Sequence, residues 1–494
     1  MHSALSGFID LAPGGGDPLH VQIVRQIKGA VLSGKLAPQS RIPSSRMLAS
    51  ELGISRNTVV AALDQLKAEG YLDSFPGSAL RVADMRAPDL ARAESAAGRQ
   101  GRFAHRLARR WQRALVDHPG PPAEAPAPFR AGVPDADLFP HEIWGRMLRR
   151  ASQHISRDMA GYGHISGLPQ FRKVLCQHLV EVRGVVAEPE QIIVTSSARG
   201  GLSLIAEALL EEGDDVWIEE PGFRSAKTIF SAAGARLCPV PVDASGLDVT
   251  GAPRSSAPRL IYTTPSHQYP TGALMSLARR LELLDVASRH NAYVIEDDFD
   301  SEFQFTGRPI ASLQGLDRIG CVLYLGTFAK SLLPSLRVGF IVAPPGLADD
   351  LARVHRQTSQ FVPPVIQLAL ADFIDAGHYR AHVRRARGIY AERLSAFIER
   401  IDRSSGGQLI AARRDGGLQT VVTSAEPMPD DVLSDKLAQV NVQCQPLSDF
   451  HLTPASAMHK GVLMGFAAWR QDDADRAFKR LARKPWGGRK DGGR

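Results

Sequence analysis

Apolar residues change their spacing along the chain, and each change marks an element. From Leu19, the positions Val21, Val24, Ile27 and Val31, with Ile23 and Ala30, recur at the three- and four-residue steps of one helix face until Gly34 ends the run. A short basic link over 35–41 follows. Pro43-Ser44-Ser45 opens a second predicted helix with a serine cap and an apolar side of Leu48, Ala49 and Leu52, and Gly53 closes it. Ser55 caps a third, over 56–69, with Val59, Ala62, Leu63 and Leu66 inward. After Gly70, Tyr71-Leu72, the turn Phe75-Pro76-Gly77-Ser78 and residues 79–82 read as a small hairpin. Three short helices, a tight turn and a hairpin make a winged helix-turn-helix.

Beyond Phe129 the pattern alternates between short apolar runs and helical periodicity. Ile192-Ile193-Val194, Val216-Trp217-Ile218-Glu219, Leu260-Ile261-Tyr262-Thr263, Tyr293-Val294-Ile295 and residues 321–325 read as strands, with helices between them. That alternation predicts an α/β domain with a mainly parallel sheet covered by helices on both faces. The expected division is a flexible Gly-rich lead (1–17), the winged helix (18–84), an Ala/Arg/Pro linker (85–128) containing a short basic helix near 103–111, the α/β domain (129–483), and a basic, disordered tail (484–494).

Composition narrows the classes. With 44% hydrophobic and 22% charged residues, the 494-residue chain resembles an ordinary globular protein and is long enough for roughly two or three domains. A net charge of +7 and a pI near 9.3 permit a polyanionic partner. Cys176, Cys238, Cys321 and Cys444 are scattered, with no C-x-x-C pair, so neither a metal site nor a disulfide framework is expected, and a reducing cytoplasm fits. No apolar run is long enough to span a membrane, and the N-terminus lacks the pattern of a signal peptide.

The third helix begins Ser55-Arg56-Asn57-Thr58, the end that enters the major groove of double-stranded DNA in this motif. Arg56 and Asn57 suit base edges, while Ser55 and Thr58 suit phosphates. Ser44, Arg41 and Arg46 lie within reach of the backbone, and the hairpin tip at Gly77 can lie on the minor groove.

A second chemistry gathers at the predicted strand ends. Lys330 follows the strand over 321–325 in a turn of Thr327, Phe328, Ala329 and Leu332; burial among such neighbours favours the free amine that attacks an aldehyde. Arg337 comes shortly after and adds a guanidinium, so an aldehyde that also carries a phosphate suits the pair; pyridoxal 5′-phosphate is such a molecule. Asp297 offers a carboxylate to a pyridine nitrogen, Phe223 an apolar face for the ring, and Thr327 with the helix start at Ser197 and Ala198 donors for a phosphate.

Residues 18–84, through Pro43-Ser44-Ser45-Arg46, Ser55-Arg56-Asn57-Thr58-Val59 and Glu69-Gly70-Tyr71-Leu72, resemble the DNA-binding domain of GntR-type regulators. The rest resembles fold-type I aminotransferases, through Pro265-Ser266-His267-Gln268 with Pro270-Thr271-Gly272, Ile295-Glu296-Asp297-Asp298, and Gly326-Thr327-Phe328-Ala329-Lys330 with Pro334-Ser335-Leu336-Arg337. The whole is similar to the MocR subfamily, which joins the two parts. The resemblance implies a Schiff base of the cofactor with Lys330, Asp297 on the pyridine nitrogen, Arg337 on the phosphate, and His267 and Gln268 at the cofactor. It also implies a homodimer that can exchange domains, with Tyr162 reaching a cofactor phosphate.

Several positions depart from that pattern. Phe299 and Phe223 stand where tyrosines are usual, Ser197 for a glycine, Arg199-Gly200 for residues that are often glutamines, His164 for an aspartate, Ala79 for a wing glycine, and Asp449 where a carboxylate-binding arginine is common. Arg413, Arg414 and Arg470 are unassigned alternatives for that arginine. The leading expectation is a transcription regulator that senses pyridoxal phosphate, a small amine or an amino acid, with weak or absent turnover. A true aminotransferase with an accessory DNA-binding domain and a cofactor-free sensing scaffold are the alternatives.

Overall fold

The computed structural model describes residues 6–12, 17–74, 79–83, 107–117, 128–161, 163–307, 311–358, 361–452, 460–484 and 486. The chain divides into two compact units, 1–106 and 107–494.

In the first unit α1 (Leu19–Leu32), α2 (Ser45–Leu52) and α3 (Arg56–Ala68) enclose Ile23, Ile27, Leu48, Val59 and Leu66. Side-chain caps fix two of the helix starts, as the serines predict: Ser44 accepts from the Met47 amide at 3.3 Å and Ser55 from the Thr58 amide at 3.2 Å. Gly53 turns the chain between α2 and α3 with φ +66°, where a side chain would be strained. β1 (Leu72–Asp73) and β2 (Arg81–Val82) pair antiparallel as the wing. The lead differs from expectation. Ile9 is buried in this core, and the Asp10 backbone exchanges hydrogen bonds of 2.7 and 2.6 Å with the Gln26 amide, so residues 6–12 are strapped along α1 instead of hanging free.

The second unit begins with α4 (Arg109–Asp117), which takes in the end of the expected basic helix near 103–111; residues 103–106 lie outside the described residues. It buries Ala114 where it packs on α8 (Arg224–Ala232), so this part of the expected tether belongs to the large unit. An eight-stranded sheet forms the body. Its strands are β3 (Ile192–Thr195), β4 (Asp215–Glu220), β5 (Arg236–Asp243), β6 (Gly246–Leu247), β7 (Pro258–Thr263), β8 (Tyr293–Asp298), β9 (Val322–Thr327) and β10 (Gly339–Val342). They lie in the order β3-β10-β9-β8-β7-β4-β5-β6, with β9 through β5 parallel and β10 antiparallel to both its neighbours.

Both faces of the sheet are covered. Tyr324 of β9 packs into a core with Phe171, Leu175, Leu368 and Phe373 from α6 (Pro169–Arg183) and α12 (Pro364–Asp375), which also takes in α5 (His141–Gln153). Leu323 and Leu325 point the other way, to α7 (Ala198–Leu209), α8 and α11 (Pro345–Thr358). α9 (Leu277–His290) and α10 (Leu313–Leu316) contribute Leu283 and Leu313 to a further core. The 28-residue α13 (His378–Ser405) leads to a small antiparallel sheet, β11 (Leu409–Ala411), β12 (Gln419–Ser424), β14 (Val462–Gly465) and β13 (Gln445–Pro446) in that order, backed by α14 (Asp430–Ala438) and α15 (Gln471–Leu481). No helix among the described residues is long and apolar enough to cross a membrane.

Candidate cofactor site and nucleic-acid interface

The parallel core of the sheet sets the carboxyl ends of β4, β7, β8 and β9 side by side, where open α/β sheets gather ligands. β9 ends at Thr327, and Lys330 lies three residues on. Its Nζ donates to the Gly132 carbonyl at 2.6 Å. Gly132 has φ +70°, and a Cβ there would lie 3.0 Å from Nζ and 3.2 Å from Gln419 Oε1, so the glycine keeps the amine's surroundings open. Burial lowers the Lys330 pKa, Arg199 and Arg130 lower it further, and Asp300 and Asp297 oppose them. The result favours the free amine.

On neighbouring β8, Asp297 is buried. Tyr262 of β7 donates to its Oδ2 at 2.6 Å, while Oδ1 has no hydrogen-bond partner among the described residues. Burial pushes this carboxyl up to about 7 against the Tyr262 bond, with Asp298 and Glu219 adding to the rise. An unmet buried acceptor costs about 1–3 kcal/mol, which an arriving N–H would recover. Asp298 points to the opposite face, where Arg183 Nε at 2.8 Å and the Tyr324 hydroxyl at 2.5 Å bind it. Burial opposes ionisation of Asp298, yet Arg183 and these hydrogen bonds hold its carboxyl below the usual range.

A candidate anion cup forms where the loop after Lys330 meets the start of α7. Ser197 caps α7 by accepting from the Gly200 amide at 3.0 Å, and Arg337 Nη2 donates to Ser197 Oγ at 3.3 Å. Arg337 takes up left-handed backbone, φ +54°. Gly339 lets this loop close on the helix start, since a Cβ there would come within 2.7 Å of the Ala198 nitrogen. Thr327 Oγ accepts from the Ala329 amide at 3.1 Å and so shapes the lysine turn.

Aromatic rings line one wall. Phe223 and Tyr269 meet edge to face at 5.5 Å, and Tyr269 meets Phe299 at 5.7 Å. The Arg199 guanidinium lies over the Phe223 ring at 6.0 Å. His267 Nδ1 is 2.8 Å from Asp300 Oδ1; burial opposes the imidazolium, but Asp300 holds the pKa above its ordinary value. Gln268 plays another part. Its amide donates to Glu219, Pro221 and Tyr269 and accepts from Thr271, so it holds the turn together and has no polar atom left for a ligand. Tyr162 lies outside the described residues.

In the first unit Arg56 and Asn57, at the start of α3, are exposed, as are Arg46 of α2 and Arg41, which bridges to Arg81 of β2. Arg56 Nε reaches Ser45 Oγ at 3.4 Å, and Ser55 and Thr58 share a hydroxyl contact of 2.8 Å. Gly77 lies outside the described residues.

Comparison with known proteins agrees with both halves. Residues 19–82 match the family of bacterial regulatory proteins, gntR family, and residues 133–478 match aminotransferase class I and II. The probable rhizopine catabolism regulatory protein MocR of Rhizobium meliloti is 40% identical over 91% of this chain and 90% of its own length. The chain belongs to the MocR family of GntR-type regulators. This MocR-family protein is thus a DNA-binding transcriptional regulator with an aminotransferase-like domain. It is also 32% identical, over 94% of this chain and 95% of the relative, to the pyridoxine biosynthesis regulator PdxR of Corynebacterium glutamicum. In fold, the large unit is similar to the α-aminoadipate aminotransferase LysN of Thermus thermophilus, with a TM-score of 0.65 and 25% identity over 76% of this chain and 94% of that one. That enzyme's structure holds N-(5′-phosphopyridoxyl)-L-leucine.

The MocR-family site contains partners that its motifs do not announce. Tyr262, Gly132 and Tyr269 all touch the candidate residues. Tyr262 sits inside an apolar strand run, and Gly132 is 198 positions from Lys330. Of the arginines left unassigned, Arg470 pairs with Asp137 at 3.1 Å, and Arg413 is exposed. Arg414 is half-buried, with its Nε 3.1 Å from where a Gly272 Cβ would stand. Asp449 accepts from Arg224 at 3.0 Å.

Proposed function

We propose that this regulator holds pyridoxal 5′-phosphate in the large unit and reads a small amine or amino acid, or the cofactor itself, through it. The observation that carries the reading is the Oδ1 of buried Asp297, without a hydrogen-bond partner among the described residues and suited to accept from a pyridinium N–H, near the end of the strand next to that of Lys330. The residues around it fit the rest of the molecule. Lys330 presents its amine, whose pKa burial lowers, to the aldehyde, Arg337 with Ser197 and the Ala198 amide receives the phosphate, and Phe223 covers the ring. When bound, the cofactor supplies an aldehyde that exchanges amines and a ring that withdraws electrons. Tyr262 keeps Asp297 oriented, and Asp300 fixes His267.

In this reading the winged helix grips an operator as a dimer, with Arg56 and Asn57 at base edges, and the subunits exchange domains. It operates in the cytoplasm, where the operator lies. The missing Phe299 hydroxyl and the Arg224–Asp449 pair favour sensing over efficient transamination. An effector must bind two arrangements of the protein with different affinity to shift its output.

The test is the visible spectrum of the full chain with added pyridoxal phosphate, followed by borohydride reduction and peptide mapping. A visible band and a label on Lys330, both lost in Lys330→Ala, are the expected result. A flat spectrum, or a label on another lysine, overturns the assignment.

A further inference from the structure

The small antiparallel sheet reaches the lysine through one glutamine. Gln419 opens β12 and pairs with Gly465 of β14. The Gly465 amide donates to the Phe129 carbonyl at 2.7 Å, and a Cβ on Gly465 would overlap the Arg130 carbonyl. The glycine thus lets residues 129–132 run against the start of β12. Strand alternation sets the direction of the side chains that follow. Val422 enters the core behind the small sheet, while Val421 belongs to a cluster with Ala131, Tyr269 and Phe450. Gln419 shares the face of Val421.

Gln419 Oε1 lies beside the reactive amine. The position of a Gly132 Cβ is 3.0 Å from Lys330 Nζ and 3.2 Å from Oε1, so the two atoms are no further apart than those distances together. A hydroxyl one or two carbons from a nitrogen at the place of Nζ, with one O–H···O bond of about 2.7–2.8 Å, spans that gap. Nζ donates to the Gly132 carbonyl at 2.6 Å, and Oε1, though buried, has no hydrogen-bond partner among the described residues. A buried amide oxygen left unmet destabilises the site, and a donor on a ligand removes that cost. The neighbouring amine, itself a donor, favours the orientation with the oxygen on the lysine side. The groups assigned to the cofactor leave this oxygen unused.

We propose that Gln419 selects the effector: its Oε1 accepts a hydrogen bond from a hydroxyl carried one or two carbons from the reacting nitrogen, so the ligand class is a hydroxylated primary amine. The proposal rests on the cofactor reading above. The amine takes the place of Lys330 on the aldehyde carbon. A C–N bond to the incoming nitrogen forms, the C–N bond to Nζ breaks, and the two protons of the incoming amine pass to Nζ, which leaves as the free amine. The exchange brings the hydroxyl within reach of Oε1. A carboxylate at the same place would meet an acceptor and gain no bond from it.

The experiment is an absorbance titration of the full-length protein loaded with pyridoxal phosphate. The probes are ethanolamine and its methyl ether, methoxyethylamine, which keeps the oxygen and lacks the donor; the proteins are wild type and Gln419→Leu. Wild type is expected to half-saturate with ethanolamine at a concentration about fivefold lower than with the ether, and Gln419→Leu to lose that preference. If Gln419→Leu fails to fold, Gln419→Asn, which draws the oxygen back by one carbon, is expected to weaken the preference in its place. A wild type that treats the two amines alike overturns the proposal whatever the variants do. A preference that survives undiminished in the variant also overturns it, as does tighter binding of glycine than of ethanolamine by wild type. Absence of any visible band or Lys330 label in wild type sinks the cofactor reading and this proposal with it; a normal band without a preference for ethanolamine sinks this proposal alone.

Discussion

At Asp297, burial and hydrogen bonding work against each other. Burial favours the protonated carboxyl, the Tyr262 hydroxyl favours the carboxylate, and burial prevails in the free site, with the group near 7. A pyridinium N–H on Oδ1 would reverse that balance, so ligand affinity depends on how well Tyr262 prepares the charge. Tyr262→Phe is therefore expected to weaken pyridoxal phosphate binding about tenfold, read by absorbance titration; unchanged affinity would remove Tyr262 from the site. Arg56 is the corresponding residue in the winged helix. It is exposed and loosely tied to Ser45, so it remains available for a base edge. Arg56→Ala should cost about 1–3 kcal/mol of operator binding and relax preference at one base position in a binding-site selection, whereas a mere phosphate contact would lose affinity evenly across sequences.

Individual elements differ in how plainly the sequence announces them. Helices α2 and α3 were legible because Ser44, Ser55 and Gly53 are local signals, and the strands that carry Asp297 and Thr327 because their apolar runs up to Ile295 and Leu325 stand out, although both strands extend two or three residues further. Gln268 was misleading, since its motif shows position and not which way the amide is spent. The lysine turn depends on a contact that no local pattern reveals. Ser331, next to Lys330, bonds through Oγ to the Tyr379 hydroxyl at 2.8 Å, Tyr379 donates to Glu302 at 2.8 Å, and His382 Nε2 lies 2.9 Å from the Ser331 carbonyl. These contacts pin the turn to the first part of α13. Burial, with Asp298 adding to it, pushes the Glu302 carboxyl up to about 7, above the 4.5 it has when exposed. Between those values the folded chain keeps a proton that the unfolded chain releases, so rising pH through that window removes stability. Glu302→Gln should flatten the fall measured by denaturant unfolding from about pH 5 to 7, by at most about 1.4 kcal/mol per pH unit. Parallel profiles for the two proteins would show that Glu302 is already ionised.

Taken whole, the molecule is two units with separate cores, and they should respond separately. Pyridoxal phosphate at a hundred times its dissociation constant stabilises the state that binds it by about 2.7 kcal/mol. Scanning calorimetry is expected to show the large unit's transition moving up with ligand while that of the winged helix stays in place; a common shift would mean the units melt together. With a net charge of +7, operator binding should weaken steeply with salt, and Arg46→Ala should reduce the logarithmic salt slope by about one. The strap of residues 6–12 bears on how the DNA-binding unit is isolated. The family match begins at residue 19, and a fragment cut there would look complete by alignment. It would nevertheless leave a hole where Ile9 seals the core and expose the Gln26 side chain that Asp10 engages. A fragment that keeps residue 6 onward should outlast the shorter one under protease, and a weak operator titration from the shorter piece would reflect its cut end and not its recognition helix.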